Sequence, residues 1–193
     1  FVDWELTRYS RTMFSAPIGP NFAKFLADRP LFLENLFPET RKLLIIRLFP
    51  FDRGWGMSER WKKLDSTIKV YRGRKSMYQQ LNSSRLFIGT YNSTTHLETL
   101  AANFPTLFFW RPELFELRDS ALRDHEEMQE AGIFHDSPES LAAKVNEIYQ
   151  DPLAWWYSPD VQKARKKFCF RYARTSKRWI SDWKKELIKI AGD

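Results

Sequence analysis

The sequence predicts an α/β protein: a Rossmann-like parallel sheet flanked by helices, followed by C-terminal helices. Three observations support this. Short apolar runs alternate with segments of helical spacing, residues 42–50 (KLLIIRLFP) are apolar along almost their whole length, and 43% of the 193 residues are hydrophobic. A continuous apolar run is typical of a strand buried on both faces of a parallel sheet. Alternation at this pace favours parallel strands, because each parallel pair needs a crossover connection.

The elements follow in an order that fits this fold. Residues 21–36 have helical spacing, with Asn21 as the predicted N-cap and Pro30 expected to kink or split the helix. Strands and helices are then predicted in alternation at 42–50 (strand), 58–65 (helix), 67–73 (strand), 75–84 (helix), 85–90 (strand), 94–104 (helix) and 106–110 (strand). After residue 112 the pattern is mainly helical, with a short fifth strand predicted at 133–135.

Length and pattern divide the chain into three parts. Its 193 residues allow one domain, or one and a half, with a substantial core. We expect a leading segment at 1–20, a Rossmann-like domain at 21–157, and basic helices at 158–193 that pack on the domain. The chain does not start with Met, so we expect it to be part of a longer protein.

Charge and cysteine content limit the possible partners and compartments. The net charge is +7 with a pI near 9.5, which favours anionic partners such as nucleotides, nucleic acid or an acidic membrane surface. The alternative is that the basic excess serves solubility. The single cysteine, Cys169, cannot form an internal disulfide, and no signal peptide or long apolar run is present. We therefore expect a cytoplasmic protein, with a possible peripheral contact to the inner membrane.

The C-terminal region is rich in basic residues interleaved with aromatic ones. Its cations are Lys163, Arg165, Lys166, Lys167, Arg171, Arg174, Lys177, Arg178, Lys184, Lys185 and Lys189. One interpretation is a patch that binds a membrane surface or nucleic acid. The other, which the pattern favours, is a pair of amphipathic helices whose aromatic face packs on the sheet or on a partner domain.

The most informative stretch is 84–110, SRLFIGTYNSTTHLETLAANFPTLFFW. An apolar strand ends at Gly89, a helix begins a few residues later, and Glu98 lies in its early turns. The turn between them holds five small polar side chains: Thr90, Asn92, Ser93, Thr94 and Thr95. The carboxyl ends of parallel strands are where such sheets bind ligands, and a helix N-terminus there suits a phosphate.

The same stretch has a simpler structural interpretation, which we weigh against ligand binding. Ser and Thr are common helix caps, and the helix dipole favours a Glu in the first turn. A cap needs one such residue, however, and this turn has five. The spacing therefore favours an anion site, with Glu98 one turn above it and able to accept hydrogen bonds from the hydroxyls of a ribose.

Several segments together resemble a known family. They are GTYNSTTHLETLAANFPTLFFW, the preceding RLFPFDRGW, and the later AGIFHDSPESLAAKVNEIY and WWYSPDVQKARKKFCFRYA. Over residues 20–185 the chain resembles the C-terminal part of a bacterial family of surface-carbohydrate transferases. That family is similar to GT-B glycosyltransferases and, more distantly, to CDP-glycerol glycerophosphotransferases. The resemblance implies a nucleotide-linked donor as substrate and no resident cofactor, with Asn92, Ser93, Thr94 and Thr95 near the phosphates and Glu98 on the ribose.

The segment IIRLFPFDRGW adds one more candidate. It resembles the region after the first strand of this half, where related transferases carry a basic residue and a His-Pro pair. Arg47 and Pro50 match, whereas Phe49 replaces the His, so that any phosphate contact from the His is absent. Arg47 is thus either a ligand of the diphosphate or the partner of a structural acid.

The size of the chain sets the limits of this interpretation. A GT-B enzyme needs two Rossmann-like halves, and 193 residues have room for one. We therefore expect the acceptor site, for a glycan or lipid-linked acceptor, and the general base on a missing N-terminal domain, and we assign no catalytic residue here. His96, His125 and His135 lack metal-site spacing, so no metal is expected. The rival functions are a CDP-glycerol-type phosphotransferase domain and a non-catalytic module that binds polyanions or membranes.

Overall fold

The structure, a computed structural model, describes residues 1–8, 19–73 and 75–192. Within them, helices and short parallel strands form the α/β arrangement that the sequence predicts. The strands are β1 Ile45–Leu48, β2 Lys69–Arg72, β3 Phe87–Gly89, β4 Thr106–Phe109 and β5 Phe134–His135. The helices are α1 Pro20–Asn35, α2 Pro38–Lys42, α3 Met57–Leu64, α4 Met77–Leu81, α5 Thr94–Ala101, α6 Asp119–Glu130, α7 Pro138–Ile148, α8 Pro152–Trp156, α9 Pro159–Tyr172 and α10 Trp179–Ala191.

The first three residues lie extended between β1 and β3 and join the two parts of the sheet. Val2 forms parallel bridges to Arg47 on β1 and to Gly89 on β3. Its backbone N–H donates to the Ile88 carbonyl at 2.8 Å, and the Asp3 N–H donates to the Arg47 carbonyl at 2.9 Å. The predicted leading segment therefore contributes to the sheet at its start, while its residues 9–18 lie outside the described residues.

The strand order identifies where the sheet changes direction. β2 pairs with β1 on one side of the N-terminal segment, and β3, β4 and β5 follow on the other, all in parallel. If the N-terminal segment is counted as the first strand, β1 to β5 are the second to the sixth. The order across the sheet is then third, second, first, fourth, fifth and sixth, which is that of a doubly wound Rossmann sheet. Ligands of such sheets bind at the carboxyl ends of the strands, at the switch point between the first and the fourth strand. In this chain the switch point lies between the N-terminal segment and β3.

Hydrophobic clusters cover both faces of the sheet, as β4 illustrates. Leu107 and Phe109 belong to the cluster formed with α1 and α7, whereas Phe108 belongs to the cluster formed with α5, α6 and α9. Neighbouring residues of a strand point to opposite faces, so a four-residue strand contributes to both clusters. All four residues of β4 are buried, which is consistent with the unbroken apolar run that follows Thr106.

Two buried polar contacts attach the N-terminal segment to the helices beside it. Asp3 is buried and accepts hydrogen bonds from Arg29 of α1 and from the indole N–H of Trp61 of α3, the latter at 2.8 Å. The Arg29 guanidinium also pairs with the Asp3 carboxylate and is itself almost fully buried. This network fixes the position of the strand that borders the switch point.

The start of α1 differs from the sequence prediction. The helix begins at Pro20 with Gly19 as its N-cap, and it continues through Pro30 to Asn35. Asn21 is therefore inside the first turn and does not cap the helix. Pro20 accounts for the earlier start, because proline has the backbone φ of a first helical residue and needs no hydrogen-bond donor there.

The last two helices differ in how they pack. α9 buries Val161 and Phe168 in the cluster with α5 and α6. α10 buries none of its residues, and all of them except Asp182 are exposed. Among the described residues, none of the helices has the length and apolar content needed to cross a membrane.

Candidate functional site

The turn from β3 to α5 lies at one side of the switch point. Gly89 ends the strand in a tight space, since a Cβ there would lie 3.1 Å from the Phe87 ring. Thr90 is 1% exposed, and its hydroxyl donates to the Val2 carbonyl at 2.9 Å. Thr90 thus connects the turn to the N-terminal segment at the switch point, because its hydroxyl donates to the Val2 carbonyl.

The first turn of α5 presents the remaining polar side chains. Ser93 is the N-cap, and its hydroxyl accepts the Thr95 N–H at a long distance of 3.4 Å. Asn92 and Thr94 are exposed, while Ser93 and Thr95 are half-buried. No acidic side chain lies in this first turn. The structure therefore brings Ser93, Thr94 and Thr95 together at a helix N-terminus that carries no carboxylate of its own.

Glu98 lies one turn further along α5, on the same face as Thr94. Its side chain is exposed, and Oε2 lies 3.5 Å from the hydroxyl of Tyr78 on α4. This distance is at the outer limit of a hydrogen bond, so the carboxylate remains accessible. Glu98 and Tyr78 together form a polar pair beside the first turn of α5.

Two aromatic side chains that the sequence analysis did not single out flank the switch point. Trp4 follows the N-terminal strand and Tyr91 follows β3, and their rings stack with centroids 5.7 Å apart and planes inclined by 26°. Trp4 also packs edge-on against Phe25 of α1 at 5.6 Å. Recognition of the first three residues as a strand would have placed Trp4 at its carboxyl end.

The turn from β1 to α3 lies on the other side of the N-terminal segment. Asp52 accepts the Gly54 N–H at 2.6 Å and pairs with Arg72 at 3.2 Å. The hydrogen bond from Gly54, with smaller contributions from Gly56, Arg72 and Trp55, holds the pKa of Asp52 below its usual range. The backbone N–H groups before α3 are thus already directed at a carboxylate of the protein.

A second carboxylate of the same cluster is fully buried. Glu5 accepts hydrogen bonds from Arg72 at 2.9 Å and from the Arg53 backbone N–H at 3.1 Å. Burial raises the pKa of Glu5, although these hydrogen bonds oppose the shift. Arg72 also donates to the Phe49 carbonyl and to the Ser58 hydroxyl. The charges of this cluster are therefore satisfied by one another.

Arg47, the remaining predicted site residue, lies on β1 opposite Val2, and its side chain is directed at α4. Its guanidinium donates to the Lys75 carbonyl at 2.9 Å and to the Gln80 side-chain oxygen, so it connects β1 to α4. Partial burial lowers the pKa of Arg47. Arg47 also lines a cavity of about 400 Å³ beside α4. Within the described part of the chain, the residues that line this cavity include none of 90–98.

The histidines belong to the core. His96 is 2% exposed and packs against Phe108 and Trp110, with ring centroids 4.8 and 5.4 Å away. Burial lowers the pKa of His96 to about 3, and the nearby His125 adds to the shift. Burial likewise lowers the pKa of His135 to about 4. His96 is therefore a neutral side chain that packs α5 against Phe108 and Trp110, and it does not face the switch point.

One comparison with known proteins identifies a family of transferases. The family model described as LIC12162 family transferase matches residues 1–187. The comparisons with curated proteins and with solved structures found no match. The matched region includes the N-terminal strand, both turns at the carboxyl edge and the whole of α9. The chain therefore belongs to the LIC12162 family of transferases.

Proposed function

We propose that this chain is the donor-binding half of a GT-B-type glycosyltransferase that acts in the synthesis of bacterial surface polysaccharides. Its donor is a nucleotide-linked sugar, which is a substrate and not a resident cofactor. One observation carries the proposal. The first turn of α5 lies at the switch point of a Rossmann-like sheet and holds several hydroxyls and no acidic side chain.

The phosphates of the donor are assigned to the first turn of α5. The first N–H groups of a helix have no partner within the helix, and the helix dipole adds a partial positive charge there. Ser93 satisfies the Thr95 N–H only weakly, at 3.4 Å. Neighbouring hydroxyl and amide side chains, those of Thr94 and Asn92, are exposed and can donate to phosphate oxygens.

The ribose of the donor is assigned to Glu98. A side chain four residues after Thr94 lies about 6 Å from it on the same helix face, which is close to the spacing between a diphosphate and its ribose. An exposed carboxylate at this place accepts hydrogen bonds from both ribose hydroxyls. The Tyr78 hydroxyl lies 3.5 Å from this carboxylate.

This arrangement explains how the half-site assists group transfer. When the bond between the sugar and the diphosphate breaks, negative charge develops on the departing phosphate. Donors fixed in advance at a helix N-terminus stabilise that charge more strongly in the transition state than in the bound substrate. A GT-B enzyme has two halves and this chain folds as one, so we assign the glycan or lipid-linked acceptor and the general base to the other half.

A thermal-shift screen tests the proposal. CMP-, CDP-, UDP- and GDP-linked sugars, together with CDP-glycerol, are added to the wild-type chain. A ligand at a hundred times its Kd stabilises the folded state by about 2.7 kcal/mol, so the matching donor raises Tm clearly. We expect Glu98→Ala to remove this rise. The control Glu126→Ala, which replaces an exposed acid on α6, should retain it.

The outcomes separate the proposal from its rivals. A rise with CDP-glycerol alone transfers the assignment to a glycerophosphotransferase. A rise that Glu98→Ala leaves intact removes the ribose assignment. No rise with any donor contradicts donor binding by this half.

A further inference from the structure

The last helix, α10, presents an apolar face that no other part of the described structure covers. Its large apolar side chains are between 57% and 72% exposed: Trp179, Ile180, Trp183, Leu187, Ile188 and Ile190. Residues that are three or four apart share a helix face, so most of these side chains form one continuous stripe. Lys185 and Lys189 lie on the opposite side. α10 is therefore an amphipathic helix whose apolar stripe faces solvent.

The net charge of the protein is concentrated in the same region. Residues 1–158 contain 20 Lys and Arg and 20 Asp and Glu, whereas residues 159–193 contain 11 and 4. The Rossmann-like part is thus electrically balanced, and the whole excess of positive charge lies in residues 159–193, which comprise α9, α10 and the segment between them. An exposed apolar stripe flanked by this charge is complementary to a surface that is apolar within and anionic outside.

We propose that α10 lies in the surface of a membrane that contains anionic phospholipids and holds the protein there. Trp, Leu and Ile side chains enter the boundary between headgroups and acyl chains, while Lys side chains remain among the headgroups. Nucleic acid would engage the cations and would leave four exposed aliphatic side chains in water, so it fits this helix less well. A transferase held at the bilayer meets a lipid-linked acceptor at its own surface.

Vesicle co-sedimentation tests the proposal with the full chain. Vesicles of phosphatidylcholine alone are compared with vesicles that contain about a third phosphatidylglycerol. We expect binding to the anionic vesicles, weakened by high salt, and little binding to the neutral ones. Each cation close to an anionic bilayer contributes roughly 1 kcal/mol, so K184Q/K185Q/K189Q should bind on the order of 100-fold more weakly.

Matched variants distinguish the helix from the rest of the surface. K24Q/K62Q/K63Q removes three exposed lysines from α1 and α3 and should bind vesicles like the wild type. L187D introduces a charge into the apolar stripe and should abolish binding. L153D makes the same change on α8, at a residue of similar exposure (52% against 57%), and should leave vesicle binding intact. All of these variants should retain the donor-induced rise in Tm.

Three results would overturn the membrane proposal. One is equal binding to neutral and anionic vesicles, and another is equal loss in both lysine variants. The third is the absence of binding to the anionic vesicles. If light scattering then shows a dimer that L187D dissociates, the apolar stripe belongs to an interface with a second copy of this chain. None of these results affects the donor assignment, which depends on α5.

Discussion

The two strand-to-helix turns next to the N-terminal strand lie at the same edge of the sheet and differ in one respect. Before α3, the backbone N–H of Gly54 is directed at Asp52, and Arg72 pairs with both Asp52 and Glu5. Before α5, the first turn has no acidic side chain and its cap bond is 3.4 Å long. One turn carries its own anion, and the other has the geometry to accept one from outside.

This difference separates two uses of the same local structure. A helix N-terminus attracts negative charge wherever it occurs, so its presence alone does not define a ligand site. Where a carboxylate of the protein occupies the helix N-terminus, the attraction stabilises the fold. Asp52 does this in the turn before α3. The turn before α5 has no acidic side chain and lies at the switch point, which is why we assign the donor phosphates to it.

The largest loss of unfolding free energy is expected for Glu5→Ala, in the carboxylate cluster beside the turn before α3. The Glu5 side chain is fully buried, and its removal leaves Arg72 without its buried partner and the Arg53 N–H without an acceptor. Breaking a buried pair in this way costs about 3 kcal/mol of unfolding free energy. Urea unfolding followed by tryptophan fluorescence measures the loss. Asp52→Ala is the control, since its side chain is 44% exposed and should cost less than half as much.

The next largest effect is a pH dependence of the unfolding free energy, which originates from the buried His96 of α5. The pKa of His96 is about 3 in the folded protein and near 6.5 in the unfolded chain, so the unfolded chain binds more protons between these values. The contribution is fully present above pH 6.5 and is lost as the pH falls. At pH 4.5 the loss is about 2.7 kcal/mol. His96→Phe should flatten this part of the curve, and identical pH profiles for the two proteins would contradict the assignment.

A smaller effect should distinguish two threonines of the same turn. Thr90→Val removes the hydroxyl bound to the Val2 carbonyl and should lower the unfolding free energy by about 1 kcal/mol. Thr94→Val alters an exposed hydroxyl and should change stability by less than 0.5 kcal/mol while weakening donor binding. Equal stability losses in the two variants would show that the hydroxyl of Thr90 does not hold the turn to the N-terminal strand.

Much of the fold could be predicted from the sequence because local patterns encode it. The apolar runs give β1, β3 and β4, and the short run at 133–135 contains β5. The strand order could not be predicted, because it depends on pairing between Val2 and residues far along the chain. The exposure of α10 could not be predicted either, since an amphipathic pattern is the same whether its apolar face is covered or free.

The candidate site was predictable in composition more than in arrangement. The crowding of small polar residues after Gly89 indicates the turn before α5. The ligand roles of the predicted site residues stay predictions: Arg47, Thr90, Asn92, Ser93, Thr94, Thr95 and Glu98. The sequence does not show which way a side chain points. The hydrogen bond from the Thr90 hydroxyl to the Val2 carbonyl, for example, joins residues far apart in the sequence, and no local pattern indicates it. In the same way, the bonds from Arg47 to α4 follow from packing that no local motif records.

The most direct test follows backbone amides by ¹H–¹⁵N NMR while the matching nucleotide-linked donor is added. The contrast between the two turns predicts that the amides of Ser93, Thr94 and Thr95 shift with saturation, because phosphate oxygens accept from this turn. It also predicts that the amides of Gly54 and Gly56 stay in place, because Asp52 already occupies that turn. Shifts centred on Gly54 and Gly56, with Ser93 to Thr95 unchanged, would contradict the assignment of the donor to α5.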